Sequence, residues 1–82
     1  MHLNLLSLAP GQHAGVEGLE FDGGMRRKLL DLGFTPGAQV TCLFSAPSGD
    51  PRAYLVRDTV VALRRSDARH ILCLGEVTSH GA

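Results

Sequence analysis

The sequence predicts a mainly β fold: a small barrel of five to six short strands, with one inserted α-helix and a short helical turn before the last strand. Three observations predict it. Several apolar stretches, such as "AQVTCLFSA", alternate at the strand period of two. Glycine- and proline-bearing turns separate them. One segment, "GGMRRKLLDLG", instead repeats at the helical period. A chain of 82 residues is one small domain, and closing its sheet protects edges that would otherwise invite aggregation.

Taken in order, "MHLNLLSL" supplies a first strand and "APGQ" a turn. In "HAGVEGLEF", Ala14 and Val16 share one face of a second strand. Asp22 stands where a helix N-cap is expected. The helix that follows places Met25, Leu29 and Leu32 at i, i+4 and i+7, one stripe toward a core. Asp31 lies within reach of Arg27 or Lys28 on the same helix. Next comes "LGFTPGAQV", with three backbone instructions in nine letters: Gly33 as C-cap, then Pro36 and Gly37 as the centre of a type II turn.

Beyond that corner, Val40, Cys42 and Phe44 point one way, with Gln39, Thr41 and Ser45 opposite. "PSGDP" is a loop, "RAYLVR" and "TVVAL" are strands joined tightly near Asp58, "RRSDARH" is one helical turn, and "ILCL" is the final strand. The domain spans 1–75, with 76–82 a weakly ordered tail. "APGQHAGV" and "TPGAQVTC" echo one another, aligning Ala14 with Val40 and Val16 with Cys42.

Eight basic and eight acidic side chains cancel, so general attraction to nucleic acid or anionic lipid has no support from the total. The basic stretches "MRRK" and "LRR" lack interleaved aromatic residues for stacking bases, which leaves a nucleic-acid-binding barrel as a distant alternative. No nucleophile elbow or phosphate loop is present, and an enzyme is not expected. The two cysteines, Cys42 and Cys73, lie in apolar stretches and read as reduced, buried thiols of a cytoplasmic protein.

Asp67, His70 and Cys73 in "DARHILC" are weak metal candidates: three ligand types at spacings of three, without the paired motif of a closed site. On a strand, His70 and Cys73 would face opposite ways. No cofactor is required, although His2, His13 and His80, read as solvent-facing, could take up zinc at high concentration.

The ordered segments "RRKLLDLGFTPG", "APSGDP" and "LRRSDA" resemble the FeoA family of small cytoplasmic ferrous iron transport components, over about residues 8–74. The resemblance implies an SH3-like barrel and assistance to FeoB, the membrane ferrous permease. Its signature falls on Leu29, Leu30, Leu32, Gly33, Pro36 and Gly37, then on Ala46, Pro47, Gly49, Asp50 and Pro51, and on Leu63 and Arg64. The Asp58-Thr59 connection departs from the glycine or basic residue expected there.

Related domains in metal-dependent repressors supply the main alternative, a regulatory module that itself binds a divalent ion. For the leading reading, the docking residues are Arg26, Arg27 and Lys28 with Phe34, Thr35 and Pro36; Phe34 is either a core plug or an exposed anchor. Exposed strand edges or bridging histidines leave room for a homodimer.

Overall fold

The longest strand, β2 (Gln12–Leu19), organises the fold because both halves of the sheet use it. The computed structural model describes residues 3–75 and the backbone of Thr78 and Ser79. Around β2 stand β1 (Leu3–Asn4), β3 (Gln39–Ser45), β4 (Arg52–Val56), β5 (Thr59–Leu63), β6 (Ile71–Cys73) and β7 (Thr78–Ser79). Helix α1 (Gly23–Leu32) follows β2, and the short α2 (Arg65–Ala68) precedes β6.

The antiparallel strand order is β1-β6-β2-β3-β4-β5, with β7 also against β2. His13–Gly15 of β2 pair with β3, whereas Val16–Leu19 pair with β6. A register shift between Val16 and Gly18 marks the change. Such an irregularity bends the strand and increases its twist, which is how a short sheet curls around one core. This is the mainly β architecture expected.

Two local expectations are corrected, and one short strand is added. The first strand stops at Asn4, because Asn4 and Ser7 close a capping box around a 3₁₀ turn, Leu5–Ser7: Leu6 N donates to Asn4 Oδ1 (2.8 Å) and Asn4 N to Ser7 Oγ (3.2 Å). Phe44 does not follow Val40 and Cys42 inward, because a bulge between Cys42 and Phe44 leaves it 59% exposed. Thr78–Ser79 of the predicted tail form β7, pairing with Gln12 and His13; the rest of 76–82, His80 and His2 lie outside the described residues.

The 3₁₀ turn buries Leu5 and Leu8 and is held from β4. Tyr54 Oη donates to Leu5 O (3.2 Å), and the buried Arg52 guanidinium donates to Leu8 O (2.6 Å) and Leu6 O (3.3 Å). Arg52 also donates to Cys42 Sγ (3.6 Å) and lies 5.9 Å from the Tyr54 ring centroid. Leu6 O and Leu8 O, which the short apolar segment does not pair internally, are thus satisfied by a side chain more than forty residues away. Leu5 O, which already accepts from Leu8 N (3.2 Å), takes its second bond from Tyr54.

The Pro-Gly echo has a structural counterpart. Ala14 and Val40 are directly opposed in the β2–β3 ladder. Gly11 N donates to Cys42 O (2.8 Å) and Gly37 N donates to Val16 O (2.7 Å). Each turn closes in the same way, Gln12 N to Ala9 O and Ala38 N to Thr35 O, both at 2.9 Å. Gly11 and Gly37 have φ of 90° and 86°, as the third position of a type II turn requires. A local two-fold therefore relates the two turn–strand units, each turn anchored on the other's strand.

Candidate functional site

Helix α1 begins at Gly23 (φ 63°), and Asp22 occupies the N-cap position without a side-chain hydrogen bond to the helix. Leu29 is fully packed and Met25 and Leu32 are partly covered, so the apolar stripe faces the core as expected. The helix ends in a Schellman arrangement: Phe34 N donates to Leu29 O and Gly33 N to Leu30 O, both at 3.0 Å. Gly33 has φ of 115°, and Phe34 turns into the core beside Leu29. Thr35–Ala38 then form the type II turn, clamped to β2 by the Gly37 bond and by Val16 N to Ala38 O (2.8 Å).

This geometry sorts the predicted docking residues. Arg26, Arg27 and Lys28 are exposed on α1, Pro36 is exposed on the turn, and Thr35 is half-buried. Phe34 has 0% exposure, so it is removed from the docking set as a core plug; the Schellman cap aims it inward. Gly23, Arg26, Arg27, Leu30 and Asp31 line a shallow depression on the outer side of α1. No salt bridge joins Asp31 to Arg27 or Lys28 among the described residues.

Sequence reasoning missed Arg57. It sits at φ 48° in the two-residue turn between β4 and β5, followed by Asp58 at φ 63°. Its stem crosses the helix corner, with Cδ only 2.9 Å from where a Cβ on Gly33 would stand. Its Nη2 donates to Thr35 Oγ1 (3.0 Å). A cation beside the carbonyl end of α1 also favours the helix dipole. The role of the signature residue Asp50 is also not legible in the sequence: its Oδ1 accepts from Arg65 N (3.0 Å) and so caps the start of α2.

The weak metal candidates are separated. Cys73 is packed in the core, and burial, with a smaller contribution from Glu17, pushes its thiol up to about 11. Asp67 lines a groove against α1. His70 Nδ1 instead meets Glu20 Oε1 at 3.2 Å, its ring edge-on to Phe21. No group of three or more His, Cys, Asp or Glu stands together among the described residues. His13 Nδ1 is bonded to Gln39 Nε2. Cys42 is raised as well, by burial that outweighs the lowering influence of Arg52. Thiols held neutral in this way are poor nucleophiles and poor ligands. No described helix is long and apolar enough to cross a membrane.

Comparison with known proteins places this arrangement. A family model described as the FeoA domain matches residues 3–74. A protein of Porphyromonas gingivalis, described as a fusion of Fe(2+) transport protein A with the Fe(2+) transporter FeoB, is 36% identical over 69 residues, which are 84% of this chain. The chain spans only 8% of that fusion's length.

Among solved structures, iron(II) transport protein A of Clostridium thermocellum superposes with a TM-score of 0.80 at 33% identity, over 96% of this chain and 46% of that one. FeoA of Stenotrophomonas maltophilia, complexed with zinc and described as a prokaryotic SH3 domain protein, superposes with a TM-score of 0.81 at 26% identity, over 96% and 99% of the two chains. With its SH3-like barrel, its α1 corner and a family match across nearly all of its length, this chain belongs to the FeoA family, whose small domains are associated with ferrous iron transport.

Proposed function

We propose that this protein is a non-catalytic accessory of ferrous iron uptake that docks from the cytoplasm onto a FeoB-type permease. The observation that carries the reading is the P. gingivalis relative, in which a segment like this chain and the permease are one polypeptide. A covalent link holds two modules at a millimolar-scale effective concentration. A separate chain must gain its occupancy from surface contacts instead.

The docking surface in this reading is the set of exposed α1 cations, Arg26 and Arg27 on the outer depression and Lys28 on the flank toward β5, continued by Thr35 and Pro36. The helix's own charges support a role outside the fold. Arg26 and Arg27 lie in the N-terminal half and Asp31 in the last turn, an order that opposes the helix dipole, while Lys28 sits mid-helix. The domain folds despite that order because the Met25–Leu29–Leu32 stripe holds the helix in place. An acidic patch on the partner is the natural complement. No cofactor enters this mechanism, and a divalent ion at the His70–Glu20 pair would find only two protein ligands among the described residues.

The test is a titration of the isotope-labelled chain with the soluble cytoplasmic part of the permease, at physiological salt, with and without guanine nucleotide. Saturable amide shifts from Arg26 to Pro36 are expected. An Arg26→Glu/Arg27→Glu variant that folds normally should bind at least ~10-fold more weakly and lower ferrous iron uptake. Normal uptake and affinity in that variant would refute this docking face.

A further inference from the structure

Strand β5 ends the sheet, and its outer edge meets no other strand among the described residues. In the ladder with β4, Thr59, Val61 and Leu63 oppose Val56, Tyr54 and Arg52. The two-residue turn makes Val56–Thr59 a hydrogen-bonded pair, so by antiparallel alternation the N–H and C=O groups of Val60 and Ala62 point away from the sheet. Natural edges are usually blunted by a charge, a proline or a bulge. "TVVAL" has none of these, and Val60 is 60% exposed.

Beside this edge runs a groove, with α1 forming its other wall. Met25, Leu32 and Val61, each only partly covered, give it an apolar lining, and Lys28, Arg64 and Asp67 stand along it. The two basic stretches of the sequence thus converge on one groove, contributing Lys28 and Arg64 against the single carboxylate of Asp67.

We propose, resting on the docking reading above, that the segment of the permease bound here is an extended strand that adds to β5 and lies in the groove against α1. An added strand of about five residues would match β5. It would take up the backbone groups of Val60 and Ala62 and place alternate side chains over Val61, Met25 and Leu32. The recognised chemistry is therefore an alternating apolar segment bearing a carboxylate, drawn to the excess positive charge of Lys28 and Arg64. Arg26 and Arg27 lie on the adjoining side of the same helix, so one partner can span both surfaces.

The experiment follows amide exchange and chemical shifts in the labelled chain, alone and saturated with the soluble cytoplasmic part of the permease. The expected result is at least ~10-fold slower exchange at Val60 and Ala62 in the complex, with shifts along β5 and Met25–Leu32. Val60→Pro removes an outward N–H without touching a ladder bond and should weaken binding about tenfold. Val60→Lys supplies a second variant should proline disturb the strand.

Saturable binding with shifts on Arg26 and Arg27 but unchanged exchange along β5 would overturn strand addition while leaving docking intact. Absence of saturable shifts anywhere would overturn the docking reading itself. Protection of Val60 and Ala62 that rises with the chain's own concentration, without partner, would assign the edge to a second copy and overturn the proposal.

Discussion

Replacing Gly33 with alanine tests the helix corner on two separable grounds. The first is backbone: φ is 115° at this position, where an L side chain costs about 1–2 kcal/mol. The second is crowding: the new Cβ would stand 2.9 Å from Arg57 Cδ and 3.1 Å from Cγ. Arg57 is a flexible, exposed side chain and can swing away, but it then gives up its hydrogen bond to Thr35 Oγ1, worth about 0.5–1 kcal/mol at an exposed site.

The sum is about 1.5–3 kcal/mol, which lowers the melting temperature of a domain this size by roughly 6–24 °C. Urea unfolding of Gly33→Ala, Arg57→Ala and the double variant separates the terms. With Arg57 truncated, Gly33→Ala should keep its backbone cost and lose about 0.5–1 kcal/mol of the remainder. A single-variant loss under 0.5 kcal/mol would refute the strained cap. An undiminished loss in the Arg57→Ala background would refute the crowding.

The two phenylalanines around the corner should behave oppositely. Phe34→Ala empties a fully buried site and should cost about 3–5 kcal/mol, whereas Phe44→Ser, beyond the bulge, should stay within about 0.5 kcal/mol in the same unfolding assay. Stability should also fall in alkali. Burial raises Tyr54 from 10.0 to about 12 and Cys73 from 9.0 to about 11, so the folded chain holds those protons where the unfolded chain has released them. Their stabilising effect is complete below pH 9 and is lost as pH rises from about 9 to 12, visible as a declining melting temperature; a flat profile across that range would contradict it.

What the sequence made legible is local. The leucine stripe, the Gly33 cap and the Pro36-Gly37 turn are each specified within a few residues, and each forms as predicted. What it hid depends on partners distant in the chain. Arg52 reads as a strand-end cation, yet its guanidinium is buried against Leu6 and Leu8 because a 3₁₀ turn more than forty residues earlier offers unpaired carbonyls. Asp50 reads as a loop carboxylate, but the helix it caps lies fifteen residues ahead. Phe44 obeys the alternation that should bury it and is turned out by a bulge visible only in the pairing with β4. His70 is chosen by Glu20, fifty residues away, rather than by Asp67 or Cys73 beside it.

The same division explains why the family signature marks the scaffold more clearly than the docking site. Gly33 and Gly37 supply positive φ, Pro36 fixes the turn, Leu29 packs under the cap, and Asp50 starts α2. Together these fix the rigid frame: a helix held at a set angle by a corner anchored on β2. The groups offered to a partner need no such restriction. A guanidinium on an exposed helix side has only to be within reach, and the free edge of β5 presents backbone atoms that every non-proline residue carries. A surface built from mobile cations and backbone hydrogen bonds leaves little imprint on residue identity, so the strand edge becomes visible only once the sheet order is known.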